Sequence, residues 1–155
     1  MKALIQRVTE AHVEVAGTII ASVGLGVLVF LGFERGDDRD TAIRMIDRVM
    51  HYRLFSDRDG RLNLDVQAVS GGVIWVPQFT LVADTRQGNR ANLNHGLPRE
   101  PSARLFDQLL ADASTRYAGS TAGAGRFGAH MSIHLVNEGP VTFLLTTNGI
   151  PNELK

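Results

Sequence analysis

The chain has 155 residues, 44% of them hydrophobic and 21% charged, a size and balance that suit one soluble globular domain. Sixteen basic residues cancel sixteen acidic ones, which argues against a broad duplex-binding surface and leaves room only for a small, local nucleic-acid contact. There is no cysteine, so disulfides and thiolate chemistry are excluded; the longest apolar run, residues 25–33, falls far short of the ~20 residues of a membrane helix, and Gln6 and Arg7 come too soon for a signal peptide, so a cytoplasmic protein without a membrane partner is expected.

Lys2 to Val8 is rich in β-formers and leads into His12-Val13-Glu14-Val15, where polar and apolar residues alternate as on a strand. Ala16-Gly17 predicts a tight turn into a second strand over Thr18 to Val23. Leu25 to Phe33 predicts a strand buried on both faces. After the loop Gly36-Asp37-Asp38, Asp38 or Asp40 is placed to cap a helix from about Asp40 to Tyr52, with Ile43, Ile46, Val49 and Met50 on its apolar side. Leu54-Phe55 begins a short strand, Asp57 to Gly60 is a turn, and Val73 to Val76 is an apolar strand stopped or bulged by Pro77.

Asp84 to Pro98 predicts a long loop, of the length that is usually functional or disordered. Arg86, Arg90, Arg99 and Arg104, set against Asp84 and Glu100, read on their own as mildly basic solvated surface. A second helix is predicted over Ser102 to Tyr117, with Phe106, Leu110, Ala113 and Tyr117 in one stripe beside Leu105 and Leu109. Gly119 to Gly125 reads as a flexible glycine-rich connection. Two last strands, Ala129 to Val136 and Val141 to Thr146, flank Gly139-Pro140, which reads locally as a hairpin turn. Met131, Ile133 and Leu135 face one way there; His130, Ser132 and His134 face the other. The tail from Asn148 is expected to fray. Strands dominate and two main helices accompany them, so the class is α+β, a single domain over residues 1–147 with a barrel-like core of mixed and antiparallel sheet.

The five histidines do not predict a metal site: His130 and His134 sit in a strand pattern with no carboxylate or further histidine at a useful spacing. Gly24-Leu25-Gly26 lacks the third glycine of a dinucleotide loop, and neither a P-loop nor a Gly-x-Ser-x-Gly elbow exists, so no cofactor is expected. Chemistry is suggested by two other segments. In Pro77-Gln78-Phe79-Thr80 a proline ends an apolar strand, and an amide, a ring and a hydroxyl follow. Were the strand to continue, Gln78 and Thr80 would point to one side and Phe79 to the other, with backbone N–H groups beside a bulge able to hold an oxyanion. In Asn137 to Thr142 the proline lacks an N–H, an X-Pro bond is where a cis peptide costs little, and Gly139 admits a close approach. Such a pair can aim carbonyl oxygens at a ligand with no side chain taking part.

These segments resemble the D-aminoacyl-tRNA deacylase family (D-tyrosyl-tRNA deacylase type), from Met1 to about Thr146. The likeness rests on Leu4-Ile5-Gln6-Arg7-Val8; on Phe79-Thr80-Leu81 with Ala83-Asp84-Thr85; on Gly125-Arg126-Phe127-Gly128-Ala129-x-Met131; and on Asn137-x-Gly139-Pro140-Val141-Thr142, in that order and spacing. It implies a homodimer that hydrolyses the ester joining a D-amino acid, or glycine, to the 3′-terminal adenosine of tRNA. It implies a cis Gly139-Pro140 bond, inserted into the partner's site beside Gln78, Phe79 and Thr80. Carried over, the carbonyls of Gly139 and Pro140 bind the substrate α-amino group, an L side chain clashes, a D side chain points to open space, and glycine passes. Arg7 then braces the Gly-Pro loop with its five donors, its plain alternative being a surface charge. Phe79 and Met131 line the adenosine pocket, their plain alternative being the core, and Ala129 joins the substrate-binding group. Three positions depart from the family: Pro77 where serine is usual, Ala91-Asn92-Leu93 where Pro-Ser-Phe is common, and His130 where the residue is usually acidic.

Thr80 is the obvious candidate nucleophile, yet no base is adjacent to it in sequence. Positioning plus oxyanion stabilisation near Phe79 and Thr80 is therefore favoured, helped by the substrate's own ribose 2′-hydroxyl as the resemblance also suggests. The competing readings are a non-catalytic binding module for RNA 3′ ends on the same fold and a plain dimerisation domain.

Overall fold

The computed structural model describes residues 1–147, so the tail expected from Asn148 lies outside the described residues. In chain order the elements are β1 (Lys2–Val15), β2 (Thr18–Val23), β3 (Gly26–Gly32), α1 (Arg39–Met50), β4 (Phe55–Ser56), β5 (Leu62–Leu64), β6 (Gly72–Pro77), a 3₁₀ turn (Phe79–Val82), α2 (Arg99–Arg116), β7 (Thr121–Ala124) and β8 (Ser132–Thr146). The main sheet runs β2-β1-β3-β6-β7, with β8 on the other edge of β1. Its β1 pairings are antiparallel, and β3–β6 and β6–β7 are parallel. The sheet curls until β7 comes back against β2, where the Cβ of Ala21 stands 2.8 Å from the point a Cβ on Gly123 would occupy. The result is the expected α+β domain, a nearly closed, barrel-like sheet with two main helices on one side; β4 and β5 form a small separate hairpin.

Alternation along the strands sorts side chains into two cores. Val27, Val29 and Leu31 of β3 point to the helices, into a cluster with Met45, Ile46, Trp75 and Phe106. Leu28 points the other way, into the barrel interior with Val8, Val13, Ile74 and Val76. β3 is thus buried on both faces, as its unbroken apolar run predicts. The β1–β2 hairpin turns at Ala16 and Gly17, whose positive φ angles of 50° and 79° suit the right-handed twist of the strands they join. At the start of β1 the Met1 ammonium donates to Glu34 at 2.7 Å, Asp37 at 2.9 Å and Thr147 at 2.8 Å, tying the ends of three neighbouring segments together.

α1 starts one residue before its expected first residue and is capped by Asp38, whose carboxylate accepts from Thr41 N at 2.8 Å. Its apolar stripe is rotated from the expected one: Met45 is fully buried in it, while Ile43 is only half-buried. α2 begins three residues earlier than expected, at Arg99, and buries Leu105, Phe106, Leu109 and Ala113, with Leu110 and Tyr117 half-buried against the same core. Arg39 forks onto Asp112 at 2.6 and 2.9 Å, and Arg116 meets Asp47 at 3.0 Å, so ion pairs lace the two helices along their exposed seam. The Tyr117 hydroxyl donates to Asp47 at 2.9 Å, and burial pushes its pKa up to about 12.

Two sequence expectations fail here. The stretch 119–125 is no flexible connection: Thr121–Ala124 is a strand, held by Val73 N donating to Ser120 O at 2.7 Å and Gly125 N to Trp75 O at 2.8 Å. Its small residues suit the tight space against Ala21 and β6 rather than a loop. The last two strands are likewise one, β8, which stays on β1 on both sides of Gly139-Pro140 instead of turning back on itself.

Hydrogen bonds from the Thr41 hydroxyl and N–H hold the Asp38 carboxyl below the usual carboxylate range. A depressed native value means that the cap contributes in full above the unfolded pKa and fades as pH falls through the native one. Asp38→Ala is expected to lower unfolding free energy by about 1 kcal/mol at neutral pH. Urea titrations of both chains should show that gap closing in acid.

Candidate active site

Arg7 marks a break in the longest ladder of the fold. Gln6 pairs with Thr142 and Val8 with Asn137, so Arg7 alone on β1 stands opposite the excursion Glu138 to Val141. Gly139 and Pro140 suit a place outside the ladder: Gly139 has φ +123°, a conformation L side chains rarely adopt, and Pro140 has no N–H to give. The peptide bond between them is cis. An added Cβ at Gly139 would stand 2.8 Å from Val141 Cγ2 and 2.9 Å from Arg7 Nη2.

The excursion is pinned from below. Arg7, its side chain only 11% exposed, donates through Nη1 to Leu54 O at 2.9 Å and through Nε to Glu138 O at 3.2 Å, with Glu138 Oε2 also 3.2 Å from Nε. Asn137 Nδ2 donates to Thr142 Oγ1 at 2.8 Å, and Val141 N donates to Asn137 Oδ1 at 3.0 Å. Glu138, Gly139 and Pro140 themselves are exposed. The arrangement is a stiff projection that offers main chain to whatever lies opposite.

A second group gathers where β6 ends. Gln78 N still donates to Leu31 O at 2.7 Å, but the chain then leaves the sheet in the 3₁₀ turn Phe79–Val82. Strand alternation therefore does not extend through Gln78, Phe79 and Thr80, contrary to the sequence expectation. Gly32 is the reason the turn can lie on β3: a Cβ there would meet Val82 Cγ1 at 2.8 Å, Leu81 Cβ at 3.0 Å and Gln78 O at 3.2 Å. Within the turn the Gln78 side-chain amide donates to the Thr80 hydroxyl. Leu81 N and Ala83 N bond back to Gln78 O and Thr80 O, while the N–H groups of Phe79 and Thr80 reach no acceptor among the described residues. The Phe79 ring is 64% exposed and stands with Phe127, Leu93 and Leu97 around a small apolar cavity.

The segment 125–131 closes over this corner. Met131 Sδ accepts from Arg126 N at 3.3 Å, and Gly125 lies so near that its Cβ would be 2.8 Å from that sulfur and 3.2 Å from Pro77 Cδ. Ala129 N donates to Arg126 O at 3.2 Å, and both Ala129 and Met131 are half-buried. The structure thus brings Gln78, Phe79, Thr80, Ala129 and Met131 to one corner, and Arg7, Gly139 and Pro140 to another. The two are well apart: Leu31, bonded to Gln78, pairs with Ala3, and Arg7 lies four residues further along β1, or ~13 Å, with β8 a further ~5 Å across.

The remaining polar candidates are otherwise engaged. Arg86 forks onto Asp84 at 2.7 and 2.8 Å and holds that carboxyl far below the usual carboxylate range, which removes Asp84 as a proton donor near neutrality. His134, read as part of a solvated strand face, stacks on its cross-strand partner His12 with ring centroids 4.4 Å apart. Among the described residues no group of three histidine or carboxylate side chains could hold a metal ion, and no helix is long and apolar enough to cross a membrane. Sequence reasoning did not assign roles to the side chains of Asn137, Glu138 and Thr142. An Asx residue beside a glycine-proline excursion was the available signal.

A profile of the family described as D-Tyr-tRNA(Tyr) deacylase matches residues 4–146. The chain is 50% identical over 145 residues to an Azotobacter vinelandii protein named D-aminoacyl-tRNA deacylase, a match covering 94% of this chain and 99% of that one. It is 48% identical over 145 residues to a Nitrosococcus oceani protein of the same name, covering 94% and 92%. Among solved structures, a chain described as c-Myc DNA Unwinding Element Binding Protein superposes with a TM-score of 0.89 at 32% identity, covering 95% of this chain and 99% of that one.

Arg7→Lys keeps the charge but loses the fork that serves Leu54 and Glu138 together. It is expected to lower unfolding free energy by about 1.5–3 kcal/mol, the range for hydrogen bonds to charged groups, measured by denaturant titration.

Proposed function

Since the chain belongs to the D-Tyr-tRNA(Tyr) deacylase family and its activity is that of a D-aminoacyl-tRNA deacylase, we propose that it works as a cytoplasmic homodimer on the 3′ end of aminoacyl-tRNA, with each site completed by the partner's Gly139-Pro140 loop. The observation that carries this reading is the separation of the two corners. One protomer's projection lies too far from its own 3₁₀ turn to touch a substrate held there, whereas a second copy can deliver it. Val136 and Leu144, on either side of the projection, are 49% and 55% exposed. The outer edge of β8 has no strand partner among the described residues. An open edge with apolar side chains is a surface that favours cover.

In this reading the substrate's α-ammonium donates to the carbonyl oxygens of Gly139 and Pro140, while its ester carbonyl faces the turn. With those two groups fixed, D and L forms differ only in which direction from Cα the side chain takes. The L side chain runs into the projection and the D side chain leaves the site, so selection works by exclusion. Glycine has nothing to exclude, and glycyl-tRNA is a substrate as well. The terminal adenosine sits against Phe79 and Met131, beside Ala129.

Water attacks the ester carbon, the bond to the ribose 3′-oxygen breaks, and that oxygen leaves protonated, giving free amino acid and tRNA. The charge that develops on the carbonyl oxygen is met by the N–H groups of Phe79 and Thr80. One such donor is worth roughly 2.7–4 kcal/mol. The Thr80 hydroxyl accepts from the Gln78 amide, which is no base and cannot take its proton. Thr80 therefore positions rather than attacks, and the adjacent ribose 2′-hydroxyl assists the proton's passage.

Incubation with D-tyrosyl-tRNA and L-tyrosyl-tRNA is expected to release only the D-amino acid quickly. Tight binding without release would instead favour a binding module for RNA 3′ ends. Thr80→Ala is expected to keep activity within about tenfold of wild type, one lost hydrogen bond being worth about 1 kcal/mol; complete loss with tRNA binding intact would make Thr80 the nucleophile. Gly139→Ala and Phe79→Ala chains should each be inactive alone and recover activity when mixed, because one hybrid site then has both intact parts. No recovery in a proven hybrid dimer would refute sharing between subunits.

A further inference from the structure

The projection that offers Gly139 and Pro140 interrupts the ladder between β1 and β8, and something must replace the bonds lost there. Asn137 and Thr142 are the last residues in register on either side of the gap, opposite Val8 and Gln6. Their side chains meet across its mouth, Asn137 Nδ2 donating to Thr142 Oγ1 at 2.8 Å. The same amide faces inward with its oxygen, which accepts from the N–H of Val141 at 3.0 Å. Gln6 Nε2 adds a longer donor contact to Thr142 Oγ1 at 3.4 Å. Thr142 is thereby tied both to the far side of the gap and to β1.

This arrangement needs a polar side chain at 137. A primary amide carries a donor and an acceptor on one planar group; a leucine at 137 has nearly the same shape and offers neither Thr142 nor Val141 a partner. Arg7 holds the projection at Glu138, on its ascending side, and the Asn137 amide holds it at Val141, on its descending side. Gly139 and Pro140 lie between these two fixed points with no register partner of their own.

We infer that Asn137 is a positioning residue for stereoselection: by locking the mouth of the projection to Thr142 and Val141, it fixes the angle at which the Gly139-Pro140 main chain meets the substrate, and so sets the ratio of D to L cleavage. The inference rests on the exclusion reading above. Selection by crowding depends on position more steeply than binding does, because an excluded group needs only a small displacement to fit. A loosened projection therefore admits L substrates before it stops holding the α-ammonium.

The test is single-turnover cleavage of D-tyrosyl-tRNA and L-tyrosyl-tRNA by wild type, Asn137→Leu, Thr142→Val and Thr142→Ser, with hydrogen exchange at the Val141 amide followed in the same proteins. Asn137→Leu and Thr142→Val are expected to lower the D-to-L rate ratio by about fivefold to tenfold, the size of one lost hydrogen bond, and to speed exchange at Val141. Thr142→Ser retains the hydroxyl and is expected to restore the ratio, a rescue that a general loss of stability would not produce. Thr142 is exposed, so its variants fold even if a change at Asn137 is not tolerated. A high wild-type ratio that stays unchanged in Asn137→Leu and Thr142→Val overturns the inference and leaves the exclusion reading standing. A wild-type ratio near one overturns the exclusion reading itself, and faster exchange at Val141 in the variants then identifies the brace as purely structural.

Discussion

One large mismatch in register, between β1 and β8, organises this molecule. β1 advances two residues, from Gln6 to Val8, while β8 spans the five steps between Thr142 and Asn137. Two long antiparallel strands with one buried face have little freedom to slip, since a one-residue shift would send every core side chain to solvent. The surplus residues of β8 therefore leave the ladder at one spot, and a smaller irregularity between Val8 and Glu10 takes back one step before regular pairing resumes. Val141, Phe143 and Leu145 on one side pack with the helical core, and Ile133 and Leu135 on the other pack with the barrel interior. The projection is thus anchored in two separate cores, which is more rigid support than a hairpin tip at the end of a sheet receives.

That support suits a device that works by shape. Main-chain carbonyls carry no rotamer freedom, so a site built from them needs no side chain to be frozen in place. The remaining freedom is that of the loop as a body, and Arg7 together with Asn137 removes it from opposite sides. The other corner is built on the same plan. The 3₁₀ turn is pressed onto β3 at Gly32, and its free N–H groups are main-chain donors that point from a packed element. In the proposed reading both halves of the chemistry are backbone held by side chains rather than reactive side chains, which agrees with the lack of a hydrogen-bonded base at Thr80.

How much of this was legible in sequence varied with how local the deciding contacts are. The Ala16-Gly17 hairpin, the Asp38 cap and the doubly buried β3 all follow from neighbours within a few positions, and each stands where the residues place it. β7 was not legible, because Thr121–Ala124 owes its strand geometry to a parallel partner some fifty positions earlier in the chain, and its glycine and two alanines carry no β signal of their own. The continuity of β8 was hidden for the same reason. A glycine-proline pair punctuates any local pattern, and whether the chain then reverses or resumes its course is decided by β1 at the far end of the sequence. At Gln78, Phe79 and Thr80 the residue types stood out in the sequence while their geometry did not, since the turn depends on the space left at Gly32. The four short motifs that carry the family resemblance fall at these non-local junctions, which explains why each looks uninformative alone.

The proline at position 77, a departure from the serine usual in the family the sequence resembles, sits where the sheet can accept it. Residue 77 follows Trp75 by two along β6, so its nitrogen faces β7, and the ladder on that side ends with Gly125 N on Trp75 O. On the opposite side the parallel pairing with β3 is continued by Gln78 N on Leu31 O, which a proline at 77 leaves untouched. The lost N–H therefore falls at a strand end, one of the few places in a sheet where proline costs little. Its ring meanwhile packs beside Gly125, close to the Met131 sulfur. Proline supplies a fixed φ and an apolar contact just before the turn begins, and the turn's own anchors, Leu31 and Gly32, do not involve the nitrogen of residue 77.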